Sequence, residues 1–117
     1  MSSQNKRFQN ISGIVRSRSL RRVIQQIING ANPQKIILFG SYASGTPHRD
    51  SDVDLLIIMP SRKKPAERAV EISKALRDHP FPMDIMVRTP QEIKERLRLG
   101  DVFFQEVVTK GKVLYES

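Results

Sequence analysis

Ile36-Ile37-Leu38-Phe39-Gly40-Ser41, then ten residues, then Asp52-Val53-Asp54-Leu55-Leu56-Ile57-Ile58-Met59 is the stretch on which the rest of the chain can be hung. Its two apolar runs are continuous rather than alternating, which is how strands buried on both faces read. They predict strands at Lys35–Phe39 and Val53–Met59, the first ended by Gly40-Ser41 and the second by Pro60. A strand that ends in Gly-Ser and turns into a short helix exposes backbone N–H groups beside a small hydroxyl, an arrangement suited to phosphate. Gly40 lets an anion approach the backbone closely; Ser41, Gly45 and Arg49 in the same segment complete the candidate anion-binding set. Asp52 and Asp54 stand two apart at the start of a strand, so their carboxylates project from one face and suit a hard, oxygen-preferring cation such as Mg²⁺.

The flanking sequence supplies the layers. Leu20, Val23, Ile24, Ile27 and Ile28 recur with helical spacing, and Asn29-Gly30 is the expected stop. Lys63 to Asp78 reads as a helix with Pro65 near its start and Ala66, Ala69, Val70, Ser73 and Leu76 on its inner face. Phe81 to Val87 is a third strand, and the expectation is that it runs inside the sheet, where the carboxylate of Asp84 needs a partner. If this strand lies beside the Val53 strand, Asp84 joins Asp52 and Asp54. Thr89-Pro90-Gln91-Glu92 has the form of a helix start with a capping box. Helical patterning breaks at Gly100, resumes from Asp101 and ends at Gly111, after which Lys112 to Tyr115 reads as an edge strand. The expected fold class is α/β, a short mixed sheet covered by helices.

Composition narrows the function classes. A chain of 117 residues holds one domain, with little surface left for a large second substrate. With no cysteine there is no thiolate nucleophile, disulfide framework or cysteine-bound zinc. The longest aliphatic stretch, Leu55 to Met59, is too short to span a bilayer, and no secretory signal precedes it, so the expected location is cytoplasmic, away from membranes. The net charge of +8 has one source: residues 1 to 49 carry eight basic side chains and no acidic one, whereas the remainder carries twelve of each sign. Residues 1 to 18 are read as a basic arm and 19 to 117 as the domain. Such an arm concentrates polyanions, nucleic acid among them, or serves only as a solvated tail.

Two carboxylates beside a phosphate cradle, with a third acid at Asp84, describe a metal-dependent nucleotidyl-transfer site. Chance gives this glycine–serine–aspartate spacing about once in a thousand chains of such length. His48, after Pro47 in a polar loop, and the run Arg62-Lys63-Lys64 are read as solvated, Tyr42 as packed on its own helix, and Phe103, Phe104 and Val107 as core or partner-facing.

From Leu20 to Tyr115, including the ending Lys110-Gly111-Lys112-Val113-Leu114-Tyr115, the chain resembles the minimal nucleotidyltransferases of the DNA polymerase β superfamily, the antitoxin-type partners of HEPN-domain proteins. The resemblance implies that Gly40 and Ser41 contact the triphosphate, that Asp52 and Asp54 bind Mg²⁺, with two ions expected, and that Asp84 is the third metal-binding, catalytic carboxylate. It further implies transfer of AMP from ATP to a tyrosine of a HEPN ribonuclease toxin, silencing it. The chain departs from the family at Ser44, where many relatives carry a basic residue; Arg49 or an arginine of the arm is available in its place. Two other readings stand beside the enzyme: a non-catalytic antitoxin that neutralises its partner by binding, and a basic nucleic-acid-binding module, for which no base-reading motif is present.

Overall fold

A computed structural model describes residues 18–45, 52–76 and 82–117. The elements run α1 (Arg18–Ala31), β1 (Lys35–Phe39), α2 (Ser41–Ser44), β2 (Val53–Ile58), α3 (Pro65–Ala75), β3 (Met83–Arg88), α4 (Pro90–Arg98), α5 (Val102–Lys110) and β4 (Lys112–Glu116). The four strands form one mixed sheet in the order β3-β2-β1-β4. β1 is antiparallel to both of its neighbours, and β3 is parallel to β2 because α3 carries the chain back across the sheet.

Strand alternation divides the core in two. Ile36 and Leu38 of β1, Val53, Leu55 and Ile57 of β2, and Val87 of β3 face α1 and α3, where they meet Leu20, Val23, Ile24, Ile27, Ile72 and Leu76. On the opposite face Ile37 and Leu56 meet Ile93 of α4 and Phe104 and Val107 of α5. β2 is thus covered on both sides, with Leu55, Leu56 and Ile57 all 0% exposed, which explains why its sequence does not alternate. Phe104 and Val107 are core residues, while Phe103 stays largely exposed and meets Phe39 edge-on, their ring centroids 5.7 Å apart.

Several features follow from local chemistry, and some differ from expectation. α1 does not stop at Asn29-Gly30; it runs to Ala31 and ends where Asn32 takes a left-handed conformation, its N–H donating to the Ile28 carbonyl at 3.0 Å. Asparagine tolerates that region well enough to replace glycine as the helix stop. The inner face of α3 is formed by Arg68 and Ile72, not by Ala66, Ala69, Val70 and Ser73; Leu76, just past the helix end, is buried as expected, while Val70 is 52% exposed. A charged residue at a core position hid the true period.

Arg68 is buried with its needs met. Its Nε donates to the Lys63 carbonyl at 2.7 Å, and its two terminal nitrogens bind both carboxylate oxygens of Glu92 at 2.6 and 3.2 Å. Glu92 also accepts from the backbone N–H of Thr89 at 2.8 Å, closing the capping box that starts α4. One carboxylate therefore fastens α3 to the exit of β3. The Arg68 hydrogen bonds, and then those from Thr89, hold the Glu92 carboxyl below its usual range, with burial opposing them. A depressed acid contributes stability above its unfolded pKa and loses it as pH falls through the folded value. Glu92→Gln is expected to cost about 1 to 2 kcal/mol near neutral pH, discounted for the partial exposure of Glu92, with the gap closing in acid. Urea denaturation at neutral and acidic pH checks it.

Candidate active site

β1 ends at Phe39 and the chain turns at Gly40 into the short helix α2. Gly40 has φ 78° and ψ −154°, a region essentially reserved for glycine. Its carbonyl accepts the N–H groups of Ala43 and Ser44, each at 3.1 Å, and the segment closes at Gly45, again with positive φ. Tyr42 and Ala43 pack against the larger core cluster, which fixes α2 against the sheet.

The carboxylates come from the two neighbouring strands. Register pairs Phe39 with Asp54 across β1 and β2, and Asp54 with Asp84 across β2 and β3. Asp54 alternates with Leu55 and so faces away from α1 and α3, on the side of the sheet that carries α4 and α5. Gly40 lies directly against it: a β-carbon at position 40 would collide with Asp54 Oδ2 and stand 3.2 Å from its Cγ. The missing side chain of Gly40 is what allows the Asp54 carboxylate to sit directly against this backbone.

Asp54 is half-buried, and burial first, then the charges of Asp84 and Asp52, push its carboxyl above the usual range. The electrostatics therefore link all three predicted acids. The expectation that Asp84 lies inside the sheet needs correction: β3 is an edge strand, and Asp84 is exposed. The cost of burying a lone carboxylate thus does not explain Asp84; its place opposite Asp54 does. Arg49 and His48 lie outside the described residues. Among the described residues no three His, Cys, Asp or Glu side chains form a ready-made metal cage. The donor chemistry nevertheless fits a hard divalent cation, because Asp54 carries only oxygen donors and is held against two like charges that such a cation would offset.

Sequence reasoning did not find the groove on the other side of Gly40. It measures about 820 Å³ and is lined by Phe39, Gly40 and Ser44 on one side and by residues of α5 and the start of β4 on the other. Its signal was present in the positive residues around Gly111, but only the pairing of β4 with β1 brings them beside Gly40.

A mixed sheet with a glycine turn and acids on adjacent strands is an α/β arrangement with the chemistry to take a phosphate and a divalent cation. The nucleotidyltransferase domain model matches residues 17–114, and the chain belongs to that family. Among solved structures it is similar to a mutant of the toxin–antitoxin MntA-HpeT, with 27% identity over 83% of this chain and 73% of the other and a TM-score of 0.54. It is also similar to a toxin–antitoxin with AMP-PNP, with 28% identity over 86% of this chain and 75% of the other and a TM-score of 0.57. A nucleotidyltransferase-like protein from Sulfolobus solfataricus shares the fold at 18% identity, covering 81% of this chain and 75% of the other with a TM-score of 0.57. No curated protein is significantly similar to the chain in sequence.

Proposed function

We propose that this nucleotidyltransferase domain transfers AMP from ATP to a hydroxyl of a partner protein, a tyrosine of a HEPN-type ribonuclease toxin, and so acts as its antitoxin. The observation that carries the reading is the contact of Gly40 with the Asp54 carboxylate, with Asp84 in register beside it. That contact joins a backbone an α-phosphate can approach to acids that can manage an attacking hydroxyl. The toxin–antitoxin relatives, one of them with an ATP analogue, support the partner and the nucleotide.

In this reading Asp52 and Asp54 would hold Mg²⁺ on the nucleotide side, and Asp84 would complete the site on the acceptor side. Mg²⁺ bound there supplies neutralisation of phosphate charge and a lowered pKa for the acceptor hydroxyl. Gly40 admits the α-phosphate close to the chain, and Ser41 stands next to it. The acceptor oxygen forms a bond to the α-phosphorus and the bond to the β-phosphate breaks. Pyrophosphate leaves, and the hydroxyl proton passes by way of Asp84 to solvent. Asp84 is exposed at the sheet edge, where a hydroxyl on a second protein can reach it. No described helix is long and apolar enough to cross a membrane.

The test is to mix the chain with ATP, Mg²⁺ and the toxin, separate them, and weigh the toxin. The expected result is a gain of one or more AMP masses on a tyrosine and a toxin that stays silent after separation. An unmodified toxin that regains activity would favour an antitoxin that works by binding alone.

A further inference from the structure

The groove beside Gly40 opens on the side of β1 away from the acids, because β1 lies between β2 and β4. One wall carries Phe39, Gly40 and Ser44; Phe103, Lys110 and Lys112 line the other. The two lysines flank Gly111, where the chain passes from α5 into β4. A β-carbon on Gly111 would press on the Val107 carbonyl and on Ile37 and stand 3.1 Å from the Leu38 carbonyl. The backbone between the lysines is therefore pinned against β1, one residue from the Phe39-Gly40 turn. Lys112 pairs in register with Leu38, so its position along the sheet is set by strand pairing rather than by a loop.

Charge completes the case. The lining contains two cations and one acid, Glu106, whose carboxylate is 3.7 Å from the Lys110 ammonium in an exposed setting. Such a contact is weak and leaves Lys110 free to turn to a stronger anion. Gly40 touches Asp54 on one side and lines this groove on the other, so a line of phosphates laid over it from the acids would run toward the two lysines. We infer that Lys110 and Lys112 hold the terminal phosphates of the nucleoside triphosphate in the groove between α2 and α5, and thereby select triphosphate over mono- and diphosphate. The inference rests on the nucleotide reading above and deepens it: the acids handle the reacting phosphate, and the lysines orient the leaving pyrophosphate.

The experiment is calorimetric titration of the full chain with ATP, ADP and AMP in Mg²⁺. It compares the wild type with Lys110→Gln, Lys112→Gln, the double variant, the charge-keeping Lys110→Arg/Lys112→Arg, and Lys94→Gln on the exposed face of α4 as a control. Each glutamine change is expected to weaken ATP about tenfold, ADP less and AMP not at all, while the arginine pair and the Lys94 control keep near-normal affinity. Both lysines are exposed, and circular dichroism confirms that the variants fold. Equal losses for all three nucleotides would overturn the assignment in favour of a base or sugar contact along Phe39 and Phe103. Unchanged ATP affinity in the double variant would overturn it with the nucleotide reading intact. A wild type that binds none of the three would sink both.

Discussion

Asp54→Asn is expected to remove nucleotidyl transfer by about a thousandfold while leaving a fold at least as stable as the parent. The two halves of this expectation come from the same contact. Asp54 is the acid that touches Gly40 and stands in register with Asp84, so an amide there keeps the shape and loses the charge that the phosphate-bound cation needs. Without ligand, that charge is a burden, because burial, Asp84 and Asp52 all raise its carboxyl pKa. A raised acid binds its proton more tightly in the fold than in the unfolded chain. Its penalty is therefore absent below the unfolded pKa, grows as pH climbs through the carboxylate range, and is complete above the folded value. The stability gain from asparagine should accordingly be largest near neutral pH and shrink in acid. Denaturation curves at both pH values, with a transfer assay at neutral pH, check the two halves together. Loss of both transfer and stability would show that Asp54 is a structural residue.

Gly40→Ala is expected to injure the protein in two ways. The backbone at φ 78° and ψ −154° costs a side-chain-bearing residue about 1 to 3 kcal/mol. The new methyl also occupies the place of the Asp54 carboxylate, which must swing away from Asp84 and from the approaching phosphate. Transfer should fall by about a hundredfold even at temperatures where the variant is folded, since misplacing a reacting group by about an ångström has that effect. Gly45→Ala is the informative comparison. Its backbone also has positive φ, but no described residue lies within 4 Å of the added carbon, so it should lose stability with little direct effect on the acids. Thermal melts and transfer rates for the pair separate backbone strain from displacement of Asp54.

Much of the fold was legible in the sequence because its signals were local. The run Ile36 to Phe39, the break at Gly40-Ser41 and the run Val53 to Ile58 each state a strand or its end within a few residues. The Thr89 capping box and the break at Gly100 are equally local, and the structure places them as expected. What escaped was set by partners distant in the chain. Nothing near Arg68 in the chain marks it as a core residue; Glu92, twenty-four positions away, satisfies it there. Asp84 reads as buried until the strand order places β3 at the edge. Asp52 and Asp54 are visible as a pair from their spacing, but the partnership of Asp54 with Asp84 and the fit of Gly40 against it depend on register. The lysines around Gly111 were visible only as an ending, because nothing near them in the chain says which strand β4 will join.

The most direct measurement of the central claim follows the two ends of the nucleotide separately. The chain, Mg²⁺ and the partner toxin are incubated with ATP labelled at the α-phosphate and, in parallel, with ATP labelled at the γ-phosphate. Nucleotidyl transfer predicts label on the toxin only from the α-position, with the γ-label recovered in pyrophosphate and with both signals lost in Asp54→Asn. γ-label on the toxin, or α-label there that persists in Asp54→Asn, would contradict the account.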